Sequence, residues 1–310
     1  MPAKFNADVL IIGAGPAGLS LVTGLVRQQY TAILFDSGVY RNANATQMHN
    51  VIAHDHQAPS SFRAQARASI LDRYSGVEFK NSKIENVRKL DSGFEVTNEK
   101  GDKHTGRKLV LAVGVKDEMP SLPGYEALWG TRIFHCLFCH GYEARGANSA
   151  GVLAVPDLVS AGIVMHIVKM ALRLVPNVTV YTNGDSSLGE EVATASGQRK
   201  SSIKVNNTKI AKVEAGLGES GVILHMEDGS QIAEGFLVHN PKYKINGPFA
   251  EQLGLEMTER GDIKTVGMFG ETSVQGVYAI GDCAVPMKSV TMAVASGTAC
   301  AGGLSMVLQG

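Results

Sequence analysis

The first 36 residues alternate between apolar and polar stretches in a pattern typical of a strand, a helix and a second strand. Apolar runs cover residues 7–12 and 31–35, and between them apolar side chains recur at helical spacing from Leu19 to Val26. Buried parallel strands have continuous apolar runs, whereas a helix packed on one side has an apolar residue every three to four positions. The pattern therefore predicts a βαβ unit, the repeating element of α/β folds.

Similar patterns continue along the chain. Pro120 and Pro123-Gly124 interrupt them, and we place a domain boundary there, with a return to the first domain near Lys242. We expect domains at 1–119, 120–243 and 244–310, the first and last forming one domain together. The predicted elements are a helix over 59–74, strands at 77–79, 94–96 and 108–114, a second βαβ unit over 150–155, 157–175 and 178–181, hairpins within 201–240, a strand at 276–282 and a closing helix over 290–308.

A glycine-rich turn follows the first predicted strand, with the sequence Gly13-Ala14-Gly15-Pro16-Ala17-Gly18. Its glycines allow the backbone to approach a pyrophosphate, and the N-terminus of the following helix favours the phosphate charge. Asp36 ends the second strand, where an acidic residue would meet ribose hydroxyls. Because strand, turn, helix, strand and acid all occur in order, the sequence predicts a dinucleotide site.

Composition excludes several classes of function. Lys plus Arg and Asp plus Glu both number 29, so there is no electrostatic basis for binding nucleic acid or an anionic membrane surface. We expect no signal peptide and no membrane-spanning apolar run, and four cysteines do not make a disulfide framework. A cytoplasmic protein is expected.

Two of the four cysteines lie close together, as Cys136 and Cys139, with His135 and His140 on either side. Such a pair at the start of a helix can form a redox-active disulfide, because the helix N-terminus favours a thiolate and an imidazole can exchange the protons. Three alternatives remain: covalent haem attachment, a zinc site, or two buried thiols without chemistry. We expect the redox pair and no metal site; Cys283 and Cys300 are given no role.

The second βαβ unit lacks the features of a nicotinamide site. Its first turn, residues 154–159, contains no glycine triplet, and Pro156 removes one amide donor. The turn at 182–185 offers no Lys or Arg for the extra phosphate of NADP. The domain is therefore expected to retain the fold without a working NADPH site, although a degenerate site that still binds is an alternative.

With these residues assembled, the chain resembles the low-molecular-weight thioredoxin reductases over essentially its whole length. The markers are the turn at 13–18, the Cys136–Cys139 segment and Gly281-Asp282. The resemblance implies two Rossmann-like three-layer nucleotide-binding domains, an FAD cofactor and a homodimer. The residues that it and the glycine-rich turn assign to FAD are Gly13, Ala14, Gly15, Pro16, Ala17, Asp36, Gly114, Asp282, Val290 and Thr291. A narrower resemblance to dithiol oxidases adds Ser37, Arg41, Asn42 and His49.

Two departures make the chain similar to dithiol oxidases of the gliotoxin and holomycin type: the missing NADPH features, and His140 where thioredoxin reductases have an acid. The resemblance implies oxidation of a small dithiol, such as an epidithiodiketopiperazine precursor, to its cyclic disulfide. O2 accepts the electrons and gives H2O2, with Cys139 as the sulfur that faces the flavin. The alternatives are an NADPH-dependent disulfide reductase and a redox sensor without turnover.

Overall fold

A computed structural model describes residues 5–155, 160–197 and 201–309. The chain divides into two compact units. The first contains residues 1–43, 59–116 and 244–310, and the second contains residues 44–58 and 117–243. Residues 44–58, which the sequence placed in the first domain, thus belong to the second unit, and the boundary expected after residue 119 falls after residue 116.

The first unit is built on a mostly parallel sheet. Its strands are β1 (Ala7–Ile12), β2 (Ala32–Asp36), β3 (Val77–Asn81), β4 (Ile84–Lys89), β5 (Phe94–Asn98), β6 (Lys103–Leu111) and β17 (Val277–Ala279), and its helices are α1 (Pro16–Arg27), α2 (Pro59–Arg73), α7 (Phe249–Gln252) and α8 (Val290–Leu308). The strands β7 (Val115–Asp117) and β16 (Tyr243–Ile245) pair with each other and contain two of the four points where the chain passes between units.

The described strands of the first unit follow the order β3-β2-β1-β6-β5-β4. The first four run parallel, whereas β5 and β4 are antiparallel additions. Along the edge of β6 away from β1, its first half pairs with β5 and its second half pairs with β17. The predicted strands are confirmed, but β4 was missed because Ile84 and Val87 alone are buried in it, which leaves no apolar run.

Helix α8 confirms the predicted closing helix at 290–308. Contrary to expectation, it is long and apolar enough to cross a membrane, and 33% of its apolar window is buried within the protein. Ser20 Oγ of α1 donates to the Val294 carbonyl at 2.8 Å, and a Cβ on Gly24 would come within 2.5 Å of Ala301 Cβ. Small residues are therefore needed where α1 and α8 approach closely.

The second unit contains another parallel sheet. Its strands are β8 (Ile133–Phe134), β9 (Ala150–Leu153), β10 (Val178–Tyr181), β11 (Ile203–Asn206), β12 (Ile210–Ala215), β13 (Val222–Met226), β14 (Gln231–Glu234) and β15 (Leu237–Val238), and its helices are α3 (Tyr125–Leu128), α4 (Leu137–His140), α5 (Ala161–Ala171) and α6 (Ser186–Ala195). In the described part of this unit, the parallel order is β11-β10-β9-β15-β8, and β12-β13-β14 form an antiparallel meander.

Residues 203–206 are a parallel strand and not half of a hairpin, so the prediction for the start of segment 201–240 was wrong. The predicted helix over 157–175 is described only from Ser160, whose hydroxyl caps it by accepting from the Ile163 amide at 3.3 Å. Pro156 and the rest of the turn at 156–159 lie outside the described residues.

Candidate active site

The glycine-rich turn of the first unit has the geometry of a phosphate cradle. Gly13 adopts φ +112°, and a Cβ there would lie 2.3 Å from the Ala112 carbonyl oxygen. A Cβ on Gly18 would lie 2.0 Å from the Gly13 carbonyl oxygen, so the turn and α1 are in backbone contact. A Cβ on Gly15, by contrast, would meet no described atom within 4 Å. Packing explains Gly13 and Gly18, whereas the open space at Gly15 fits a ligand.

The helix that follows this turn favours an anion. Pro16 opens α1 at a position where its missing N–H costs no helix hydrogen bond, Ala14 and Ala17 are buried, and the first turn contains no acidic residue. A flavin dinucleotide carries a pyrophosphate, so the residues present fit the group that the sequence predicts.

Asp36 lies at the end of β2, beside the turn, because Gly13 donates its amide to the Phe35 carbonyl at 2.9 Å. Its carboxylate accepts from the Gly38 amide at 2.9 Å and from the Tyr40 hydroxyl at 2.6 Å. Burial, together with Asp36, raises the pKa of Tyr40 to about 12, so this hydroxyl remains a donor at neutral pH. A carboxylate accepts about four hydrogen bonds, which leaves capacity for ribose hydroxyls.

The loop after Asp36 reaches the predicted Gly281-Asp282 segment. Arg41 forms an ion pair of 3.2 Å with Asp282, and both side chains are mostly buried. A Cβ on Gly281, which has φ +68°, would lie 2.9 Å from Ala17 Cβ. The loop, the glycine-rich turn and the Gly-Asp segment therefore converge within one unit. Ser37 and Asn42 belong to this loop, and Asn42 accepts from Arg63 at 3.2 Å.

Two further predicted residues, Val290 and Thr291, form the first turn of α8, which is capped by Ser289 Oγ accepting from the Met292 amide at 3.2 Å. Gly114 has φ +66° and accepts a hydrogen bond of 3.2 Å from the Asn246 amide. Sequence reasoning missed Lys288, which is buried and bonds Asp262 Oδ1 and the Asp282 carbonyl, both at 2.8 Å. Through this buried ion pair, Lys288 fixes the position of the Gly281-Asp282 turn. No sequence motif links Lys288 to Asp262, so the pair could not be predicted.

In the second unit, Cys136 and Cys139 form a disulfide with their Cα atoms 5.2 Å apart. Cys136 precedes α4, which is a single turn that ends at His140. The expected helix therefore exists only as one turn, and its dipole is much smaller than that of a full helix. Phe138, between the two cysteines, is 73% exposed, and nearby Tyr142 is 61% exposed.

The two histidines beside the disulfide have different surroundings. The ring of His140 stacks on Phe134 with centroids 5.6 Å apart. Burial, and after it the neighbouring His49, hold the pKa of His140 below its usual 6.5, despite the opposing effect of Glu143. His140 is therefore a neutral imidazole at neutral pH, which is the form that accepts a proton. The His135 ring lies 5.8 Å from Trp129.

His49 lies in the second unit with the disulfide, and its predicted contact with FAD stays a prediction. Its Nδ1 is 2.6 Å from the Cys139 carbonyl oxygen. Cys283 and Cys300 are fully buried, and burial raises the pKa of Cys283 to about 12, so both behave as core residues.

The turn after β10 contains no cationic residue of its own. Thr182 donates to Asn207 at 2.8 Å, and Asp185 caps α6 by accepting from the Leu188 amide at 3.0 Å. The fold nevertheless brings Lys209 to this turn, because its side-chain carbons lie 3.3 Å from where a Cβ on Gly184 would be. Sequence reasoning missed this lysine, which is distant along the chain.

A family model described as pyridine nucleotide-disulphide oxidoreductase matches residues 7–297. The chain belongs to the pyridine nucleotide-disulphide oxidoreductase family. It is 44% identical over 310 residues to "Thioredoxin reductase sirT" of Leptosphaeria maculans, covering 98% of this chain and 94% of that protein. It is also 44% identical over 292 residues to "Thioredoxin reductase tcpT" of Claviceps purpurea, covering 94% and 90% respectively.

A solved structure of this fold, "the oxidoreductase from Agrobacterium tumefaciens", superposes with a TM-score of 0.85 at 30% identity and covers 99% of each chain. The prediction of a two-domain α/β fold of the thioredoxin reductase type is confirmed. As a member of the pyridine nucleotide-disulphide oxidoreductase family, the protein is a flavin-dependent thiol/disulfide oxidoreductase. Membership also favours the redox disulfide over the haem, zinc and inert-thiol alternatives.

Proposed function

We propose that the protein is an FAD-dependent dithiol oxidase. It closes an intramolecular disulfide in a small natural product of the epidithiodiketopiperazine type, with O2 as acceptor and H2O2 as product. The observation that carries the proposal is the Cys136–Cys139 disulfide, which lies in a partly exposed turn beside His140 and the exposed ring of Phe138. An exposed aromatic side chain between the two sulfurs suits a small, partly apolar dithiol.

The reaction begins when a substrate thiolate attacks Cys136 and the bond to Cys139 breaks, so that Cys139 leaves as a thiolate. The second substrate thiolate then attacks the substrate sulfur of the mixed disulfide, and Cys136 leaves as the cyclic disulfide product departs. Each attack requires a deprotonated thiol, and we assign His140, next to Cys139 in the sequence and with its pKa held below the usual value, to take the proton. We assign His135 a supporting role in proton transfer. The attack on Cys136, with Cys139 facing the flavin, follows from the family resemblance.

When bound, FAD would supply an acceptor for the two electrons of the Cys136–Cys139 dithiol, whose oxidation restores the disulfide, and O2 is the proposed final acceptor. The residues that would hold it are the turn at 13–17, Asp36, the loop with Ser37, Arg41 and Asn42, then Gly114, Asp282, Val290 and Thr291. We infer that the protein works as a homodimer, in line with the resemblance. His49, which contacts the Cys139 carbonyl, stays assigned to the cofactor by the resemblance, in line with Cys139 as the sulfur that faces the flavin.

A second function, NADPH-dependent reduction of a disulfide, is supported by the names of the relatives and by Lys209. Its amine could contact the 2′-phosphate of NADPH, because its side chain lies over the turn after β10 where that phosphate would bind. The oxidase is favoured because the turn itself contains no Arg or Lys, and Asp185 and Thr182 are already used in hydrogen bonds.

The proposal is tested by oxygen consumption and H2O2 formation with a panel of small dithiols. We expect turnover with dithiols that can close a ring and none with matched monothiols. Cys136→Ser, which leaves the flavin-binding unit intact, should retain the yellow cofactor and lose turnover. Oxygen consumption that persists in Cys136→Ser would refute the proposed route.

A further inference from the structure

A cluster of three potential metal ligands lies next to the disulfide, within the second unit. The ligand atoms of His49, His56 and Glu143 all lie within 4.8 Å of one another. Two of them come from the segment 44–58 and the third lies four residues after Cys139. The backbone builds this arrangement, because Met48 accepts from the His56 amide at 3.0 Å and donates to Gln57 at 2.8 Å, which brings His49 and His56 side by side.

The tautomer of His49 is fixed by its contact with the backbone. A carbonyl oxygen only accepts hydrogen bonds, so the 2.6 Å contact with Cys139 requires a proton on His49 Nδ1. In the neutral ring, Nε2 then presents its lone pair to His56 and Glu143. This is the arrangement of metal-binding histidines, in which one ring nitrogen donates to a carbonyl and the other binds the ion.

The spacing of the ligand atoms fits a tetrahedral ion. Zinc bonds of about 2.0–2.1 Å in tetrahedral geometry place neighbouring ligand atoms roughly 3.3 Å apart. His49 Nε2 lies 3.2 Å from His56 Nδ1 and 3.5 Å from Glu143 Oε1, so two edges already match. His56 and Glu143 are exposed and can rotate to shorten the third edge, whereas His49, 11% exposed, is held in place.

The ligand set selects the class of metal. Two imidazoles and one carboxylate suit zinc and other borderline transition metals, whereas calcium and magnesium prefer oxygen ligands alone. Without an ion, His49 and His56 are within hydrogen-bond distance of each other, so metal binding through His56 Nδ1 requires the proton between them to move to His56 Nε2. We propose that His49, His56 and Glu143 form a Zn²⁺ site, with water as the fourth ligand, that ties segment 44–58 to the chain after the disulfide.

The test measures Zn²⁺ binding directly and does not depend on turnover. The holoenzyme is treated with a chelator, kept oxidised so that Cys136 and Cys139 offer no thiolate, and titrated with Zn²⁺ against a chromogenic indicator. We expect one equivalent to bind, and Glu143→Gln and His56→Ala each to lower the affinity at least about tenfold, since even outer contacts of metal sites change affinity by such factors.

His54→Ala is the matched control, because His54 belongs to the same segment but bonds Gln57 at 3.1 Å and is outside the cluster. Its Zn²⁺ affinity should equal that of the wild type. Both Glu143 and His56 are exposed, so their variants should fold, which an unchanged flavin spectrum and thermal midpoint without Zn²⁺ would verify. The site is refuted if the oxidised wild type binds Zn²⁺ no more tightly than the His56→Ala/Glu143→Gln double variant. It is also refuted if His54→Ala weakens Zn²⁺ binding as much as His56→Ala or Glu143→Gln does.

Discussion

One added methyl group should have different effects at two glycines of the same turn: weaker FAD binding at Gly15 and lower stability at Gly18. A Cβ at Gly15 meets no described atom within 4 Å, and the residue has φ −71°, which any residue adopts. Gly15→Ala should therefore cost about 1 kcal/mol or less, the difference between glycine and alanine at a helix N-cap. If a pyrophosphate occupies the space beside Gly15, the added methyl group prevents the phosphate from reaching the backbone amides that donate to it. Each charge-assisted hydrogen bond lost contributes about 1.5–3 kcal/mol, a roughly 10- to 150-fold weaker affinity for FAD.

Gly18→Ala is the matched comparison, because its Cβ would lie 2.0 Å from the Gly13 carbonyl oxygen, against the 3.4 Å at which ordinary contact begins. The neighbouring atom is backbone and cannot rotate away, so we expect a loss of stability at or above the upper end of the usual 1–3 kcal/mol for overpacking. The assay is flavin content and FAD affinity by fluorescence, with urea denaturation of the apoprotein alongside. A Gly15→Ala protein that binds FAD like the wild type, or unfolds as readily as Gly18→Ala, would refute the assignment.

Three further variants test other parts of the account. His140→Gln should slow disulfide exchange with a dithiol by about 10²- to 10⁴-fold. Because the pKa of His140 is held below 6.5 and the neutral ring is the base, the wild-type exchange rate should fall only as the pH drops below that pKa. A His140→Gln variant whose rate falls over the same acidic pH range would contradict this. Lys288→Met leaves the buried Asp262 carboxylate without its cation and should lower the free energy of unfolding, measured by urea denaturation, by about 3–5 kcal/mol. A decrease below about 1 kcal/mol would exclude a structural role for this ion pair. Lys209→Ala should leave dithiol oxidation unchanged; reduction of the flavin by NADPH that depends on Lys209 would favour the reductase.

Local patterns predicted the first βαβ unit and the closing helix well, because each is amphipathic or apolar over its whole length. The bounds of β1 and α8 match the apolar runs at 7–12 and 290–308. Where burial is intermittent, as in β4, the sequence contains no run to detect. Residues 203–206 were mistaken for a hairpin strand because their parallel partner, β10, is separated from them by α6.

The site was less predictable because its contacts join distant parts of the chain. The cysteine pair and the glycine-rich turn are local motifs, and both were found. The position of His49 beside Cys139 depends on segment 44–58 belonging to the second unit, which no local pattern reveals. Lys288 and Lys209 likewise acquire their surroundings only through tertiary contacts.

In the proposed reaction, electrons enter the enzyme from a small dithiol through the Cys136–Cys139 disulfide. The most direct measurement mixes the oxidised holoenzyme without oxygen with either a dithiol or NADPH and follows the flavin absorbance in a stopped-flow instrument. We expect rapid bleaching by the dithiol, none by NADPH, and no bleaching by the dithiol in Cys136→Ser. Rapid bleaching by NADPH, with none by any dithiol, would contradict it.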